Sequence, residues 1–231
     1  MASGTISPRQ KMINMMYLVL TAMLALNVSK DILRVLAKLD LGMNATVTTV
    51  ERGTATLYEA IQAQVSENPR AVPINERAKQ VKSESDAIFA LLASTKEEMI
   101  ALTGGLDEEG RYKGADNRDI PENYLLNDKS IGGQGKAKEI KEKLTAFRAF
   151  LEGQSDGDAT MKRIIDETFL FEDEVVEGKK MSWERATFAE LPLAGVVPFL
   201  TDLQSRVRRM EAKTIEHLYG QIDANTLKFD N

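Results

Sequence analysis

The residue types that do chemistry are sparse in this chain, and where they occur their spacing does not fit a reaction. There are no cysteines, which removes thiol catalysis, disulfides and cysteine-held metals together. The single histidine, His217, lies in a charged stretch of a helical pattern and reads as a solvated surface residue. "SIGGQGKA", Ser130 to Ala137, resembles a phosphate loop only superficially. Ser130 stands where the first glycine belongs and Ala137 where the magnesium-binding hydroxyl belongs, so the stretch reads as the lead-in turn of a helix. The acidic runs Asp107–Glu109 and Glu172–Glu174 lack calcium-loop spacing. They read as solvated faces, as does "RVRR" at Arg206–Arg209. The expectation is no catalytic residue, no cofactor, no metal site and no enzyme.

Chemistry of another kind is written near the start, where "SPRQKMINMMYLVLTAMLALNVSKD" runs from Ser7 to Asp31. From Met12 to Val28 seventeen residues pass without a charge. As a helix they span about 25 Å, enough for a bilayer core with help from the flanks. Ser7, Pro8, Arg9 and Gln10 fit the N-cap, N1, N2 and N3 positions, so Ser7 would cap the N3 amide while Gln10 reaches back. At about 100° per residue, Gln10, Asn14, Tyr17, Thr21 and Val28 share one face, with Met12, Val19 and Leu26 on another. Polar groups facing lipid are costly and turn toward protein or water. Two readings of this face stay open: Asn14 and Thr21 join two copies of the helix, or the face and its mouth at Arg9 meet ionisable groups of a partner.

A signal peptide is the rival reading, because Arg9 and Lys11 supply a basic start. Cleavage needs small residues at two spaced positions, however, and Ala25 is followed at that spacing by Asn27, so the segment reads as retained. Basic residues number two before the span and three soon after it (Lys30, Arg34, Lys38), which leaves the topology open.

The elements that would carry this segment are helical. Leu36, Leu39, Met43, Val50, Leu57 and Ile61 continue the helical spacing to "SENP", predicting one helix from Pro8 to about Ser66, weakened by Gly42 and Gly53 at about 1 kcal/mol each. A second helix is written in Ile74, Ala78, Val81, Ile88, Leu92, Met99 and Leu102, ending at Gly104. The Gly- and Asp-rich connection from Gly104 to Gly135 has the length of a functional or mobile loop. A third helix follows through Ile140, Leu144, Phe147 and Leu151, and a shorter one covers roughly Ala159 to Thr168. "FLFEDEVVEGKKMSWERATF" breaks the period, as a hairpin or irregular segment would. The last helix runs from about Leu193 to Ile222, and four long helices with aliphatic stripes predict a bundle. Apolar alternation in "DANTLKFDN" predicts the opening strand of a further domain.

The chain has 231 residues and a net charge of −5, which argues against nucleic acid as partner. What remains is a membrane-anchored interaction or mechanical protein.

Three stretches together carry a family resemblance: Ser7–Asp31 as quoted, the pair Gly132–Gly133, and "SWERATFAELPLAGVVPFLTDLQSRVRRMEA" from Ser182 to Ala212. With them the whole chain resembles the start of the GldM family, called PorM in other members, the motor proteins of gliding motility and type IX secretion in Bacteroidota. The resemblance implies a mainly α protein with a single N-terminal transmembrane helix continuing into a periplasmic four-helix bundle. Residues 1–7 would be a cytoplasmic tail, 8–29 the inner-membrane helix, 30–224 the periplasmic bundle and 225–231 the start of a truncated next domain. It also implies a homodimer whose paired helices stand inside a ring of five GldL-like subunits, each with two membrane spans. Proton flow through that ring would turn the dimer, and absent C-terminal domains would pass torque to outer-membrane-associated secretion components. Arg9 would face a membrane-buried glutamate of the ring, and Tyr17 would belong to the same contact surface, beside Gln10, Asn14 and Thr21. The rivals are a passive tether that only anchors a periplasmic scaffold, and a four-helix sensor, which would need a second span and an output domain.

Overall fold

A computed structural model describes residues 8–127, 135–176 and 178–227. Seven helices and a small hairpin follow one another among them: α1 (Pro8–Gln64), α2 (Ala71–Leu102), α3 (Asp119–Leu126), α4 (Lys136–Gln154), α5 (Ala159–Thr168), β1 (Glu174–Val176), β2 (Lys179–Met181), α6 (Trp183–Phe188) and α7 (Leu193–Leu227). The protein is mainly helical, and the four long helices read from the periodicity are α1, α2, α4 and α7.

Helix α1 holds 57 residues without interruption, about 86 Å of rod at the standard rise. Gly42 and Gly53 do not break it. Ser7, the expected cap, lies outside the described residues. Helix α7 is flanked by α1 and α2, which also touch each other, and α4 packs on α2. Directions follow from side-chain pairs. Asp40, Glu51 and Tyr58 of α1 meet Thr201, Arg208 and Glu211 of α7 in the same order, so these two helices are parallel. Helix α2 runs against α7, with Lys96, Asp86 and Arg77 meeting Thr201, Arg208 and Gln221.

The core is aliphatic where these helices meet: Leu92 and Met99 of α2, Ile140, Leu144 and Leu151 of α4, and Leu200, Leu203, Val207 and Leu218 of α7 are fully buried. Each such side chain contributes about 1.5–3 kcal/mol by leaving water. Aromatic residues are gathered at one flank. Phe169 meets Phe147 edge-on at 5.7 Å, Phe171 meets Trp183 at 4.8 Å, and Trp183 and Phe199 each meet Phe188 within 5.7 Å. This chain of rings sews the β1–β2 hairpin and α6 onto the bundle. The hairpin pairs Glu174 with Met181 and Val176 with Lys179, so the broken period before Trp183 is a hairpin.

As far as Asn127 the connection after Gly104 is folded, which corrects the mobile-loop reading for that part. Gly104 and Gly105 take positive φ and end α2. Leu106 bridges Tyr112, and α3 occupies Asp119–Leu126 with Pro121, Tyr124 and Leu125 buried. The carbonyls of Asn117 and Ala115 accept from the amides of Leu193 and Ala194, satisfying the first turn of α7. Gly114 is required here: a Cβ would stand 2.6 Å from Thr103 Cβ and 2.7 Å from Thr103 O. Residues 128–134, with Ser130, Gly132 and Gly133, lie outside the described residues. Gly135, in a left-handed conformation, leads into α4. Helix α7 continues to Leu227, so residues 223–227, expected to lead into a strand, are helical; residues 228–231 lie outside the described residues.

Candidate functional site

The candidate residues of the opening stretch occupy the first turns of α1. Gln10, Asn14, Tyr17 and Thr21 are exposed on successive turns of one face, Tyr17 at 70%. The Thr21 hydroxyl donates to the carbonyls of Tyr17 (2.7 Å) and Leu18 (3.1 Å), so its proton is used by its own helix. Arg9 is in the first turn of α1, and its side chain falls outside the described residues. Away from the polar face, Met12, Met15, Met16, Val19 and Leu20 are exposed together. Among the described residues no helix is long and apolar enough to cross a membrane. The uncharged run to Val28 passes into residues 22–28, whose side chains are not among them.

Further along, the face of α1 turned to the bundle buries Asp40, Val47, Thr54 and Ile61, spaced by seven. Two of the four are polar: Asp40 belongs to a first cluster, while Thr54, whose hydroxyl donates to the Val50 carbonyl (2.9 Å), lines the cleft beside a second. In the first, Asp40 is 6% exposed. Its Oδ1 accepts from Thr201 Oγ1 (2.5 Å), and its Oδ2 accepts from Asn44 (3.1 Å) and the Tyr112 hydroxyl (3.2 Å). Lys96 Nζ donates to Thr201 Oγ1 (3.0 Å) and Gln204 Oε1 (2.5 Å). Burial lowers the Lys96 pKa against the pull of Asp40, and burial followed by Asp40 raises that of Tyr112.

The second cluster centres on Arg208 of α7. Its Nε donates to Glu51 Oε1 of α1 (2.8 Å), and its Nη1 to Asp86 Oδ1 of α2 (2.7 Å) and Glu211 Oε2 (2.7 Å). The guanidinium lies 4.4 Å from the Phe89 ring centre. The Tyr58 hydroxyl donates to the other Glu211 oxygen (2.9 Å), and Lys82 pairs with Asp86 (3.1 Å). Burial drives Glu211 above the ordinary glutamate range, with Arg208 pulling the other way. Burial pushes Asp86 up too, but Arg208 and Lys82 outweigh it and hold the carboxyl below its ordinary range. Removing one partner of such a group leaves an uncompensated charge, costing about 3–5 kcal/mol.

Arg208 therefore corrects the reading of "RVRR" as a solvated face. The missed signal lies in α7's phase: Thr201, Gln204, Arg208 and Glu211 sit beside the apolar stripe of Leu200, Leu203, Val207 and Met210, and α7 is covered on most sides. His217 is likewise half-buried, with Nε2 3.6 Å from Asp156 and Nδ1 4.0 Å from Asp158. Asp156 is also bound by Arg77 (2.7 Å), and Asp158 caps α5 by accepting from the amides of Thr160 and Met161. The acidic runs are largely exposed, with one carboxylate of each held by backbone amides. Asp107 accepts from the amides of Glu109 and Arg111, and Asp173 from the amide of Trp183. Lys136 pairs with Glu139 in the first turn of α4. Among the described residues no group of three or more His, Cys, Asp or Glu could hold a metal ion.

The structure thus places four of the five predicted contact residues on one exposed face. Two polar clusters that the sequence did not reveal join the same helix to the bundle. No curated protein matches the chain. The family model described as GldM N-terminal domain matches residues 31–221, which hold the bundle and both clusters, and the chain belongs to the GldM family.

Proposed function

We propose that this chain is a shaft subunit of a rotary inner-membrane motor, driven by the proton motive force, that powers type IX secretion and gliding. The observation that carries the reading is the continuity of α1: the helix bearing the exposed polar face at residues 10–21 enters the bundle without a hinge. A rigid rod transmits twist, whereas a flexible joint would dissipate it. Membership of the GldM family ties the chain to the same processes. In this reading the N-terminus is cytoplasmic, residues 8–29 cross the inner membrane once and the bundle is periplasmic. Five two-span GldL-like subunits surround two copies of the helix, and later domains reach outer-membrane components.

Pairing of two copies is supported by the face of α1 turned away from the bundle. Ile32, Val35, Leu39, Gly42, Thr46, Thr49 and Gly53 alternate at spacings of three and four, carry no charge and are all exposed. That spacing suits a seam between two copies of the helix, with the small residues allowing close approach. On the ring side, a buried carboxylate that alternates between proton-bound and Arg9-paired states changes its attraction to the shaft by several kcal/mol. Five such sites around a two-fold shaft cannot all be satisfied at once, so each protonation favours the next angle.

The test is Arg9→Ala in the full chain, co-expressed with its ring. Assembly should persist while secretion, gliding and proton-dependent rotation are lost; unchanged function would remove the coupling role. Replacing residues 12–28 by an unrelated single span separates motor from tether, because a tether keeps working.

A further inference from the structure

We propose that the Asp40 and Arg208 clusters are two angular keys that lock α1 onto the bundle, so that twist applied to residues 8–31 turns the bundle instead of rolling α1 in its groove. The inference rests on the shaft reading and names the residues through which the shaft grips its load.

Apolar packing is non-directional, so a helix held by it alone can roll and exchange one aliphatic contact for another. Charged hydrogen bonds have direction. Of the deepest positions of α1, Asp40 bonds Thr201 of α7, whereas the Thr54 hydroxyl donates to the Val50 carbonyl of its own helix. Arg208 ties Glu51 of α1 to Asp86 of α2 and Glu211 of α7, joining three helices through one guanidinium. If α1 rolled, the small uncharged face of Gly42, Thr46, Thr49 and Gly53 would come round, and it offers no carboxylate to replace Glu51. Asp40 would leave Thr201 and Tyr112 in the same motion. The keys at 40 and 51 stand about 16 Å apart along the axis, so together they also resist tilt. Apolar side chains of similar volume can serve stability as well as a buried ion cluster does, and the attested use of such clusters is to fix register.

The experiment compares the full chain, assembled with its ring in cells, with a keyless variant carrying Asp40→Leu and Lys96→Met at the first cluster and Glu51→Leu, Asp86→Leu, Arg208→Met and Glu211→Leu at the second. Because the chain has no cysteines, Thr54→Cys reports the roll of α1: position 54 is 4% exposed in the locked state. With the keys present, alkylation of Thr54→Cys stays slow whether or not the proton gradient is on. In the keyless variant it should become roughly tenfold faster with the gradient on, return on addition of a protonophore, and be accompanied by loss of secretion. A general loosening of the fold would be indifferent to the gradient. Wild-type secretion in the keyless variant, or alkylation that ignores the gradient, overturns the proposal. If the keyless variant fails to assemble, Asp40→Asn combined with Glu51→Gln, which removes the α1 carboxylate of each key at nearly constant shape, decides by the same two readings. If Arg9→Ala and the replaced span also leave secretion intact, the shaft reading itself has failed; if they abolish it while the keyless variant works, only the keys have.

Discussion

Arg208 and Glu51 lie 157 positions apart in sequence, and their side chains meet at 2.8 Å across the α7–α1 contact. The same guanidinium holds Glu211, which is only 4% exposed at its side chain. Its positive charge therefore answers for a carboxylate that water cannot reach.

Arg208→Ala should lower the unfolding free energy of the chain by about 3–5 kcal/mol, because Glu211 stays buried without its cation. Arg208→Met with Glu211→Leu should cost much less, since no charge is stranded. Urea unfolding followed by circular dichroism checks both, and equal losses would mean the charge pair is not what matters.

Ser85 of α2 is fully buried, and its hydroxyl is without a hydrogen-bond partner. Ser85→Ala should therefore raise stability by about 1 kcal/mol, combining relief of the desolvated hydroxyl with better helix propensity. A lower urea midpoint would show that the oxygen does have a partner.

Two groups of carboxylates oppose each other in pH. Burial opposes Asp86 and Asp156, but Arg208 and Lys82 on the first, and Arg77 and Gln221 on the second, hold both below the ordinary range. Their contribution is present above the ordinary aspartate pKa and is lost as pH falls through the depressed values. Glu211 is raised by its burial, so its contribution is full below the ordinary glutamate pKa and is lost as pH rises through its folded value. Glu211→Gln should flatten the decline that sets in as pH rises above the ordinary glutamate pKa and leave the acid limb in place. Unfolding midpoints across pH test this; an unchanged decline above that pKa counts against a raised Glu211.

A Cβ at Gly42 or Gly53 would meet nothing within 4 Å. Gly42→Ala and Gly53→Ala should each stabilise α1 by about 1 kcal/mol in the single chain, yet weaken pairing of two copies by widening the seam. Sedimentation of the full chain in detergent separates the two effects, and pairing that is unchanged or tighter would place the seam elsewhere.

The long helices were legible because their apolar residues keep one period over many turns, as in Ile140, Leu144, Phe147 and Leu151. The turn α3 was hidden by the Gly- and Asp-rich composition around it, although Pro121, Tyr124 and Leu125 already marked a buried side. Arg208 and His217 were misread for a different reason. A charge beside an apolar stripe looks solvated until the helix that covers it is known, and here the covering carboxylates come from other elements: Glu51 and Asp86 for Arg208, Asp156 and Asp158 for His217. Of the proposed contact face, the alignment of Gln10, Asn14, Tyr17 and Thr21 followed from helical geometry alone.

The parallel pairing of α1 with α7 has a consequence in time. A ribosome delivers α1 before α7, so the helix that both α1 and α2 pack against arrives only after the other described helices of the bundle have emerged. Until then the inward face of α1 stands in water, and an unbroken aliphatic face in that position would invite aggregation. Asp40 and Thr54 keep it half hydrophilic during the wait, so the same side chains that the finished bundle buries also make the unfinished chain tolerable to its surroundings.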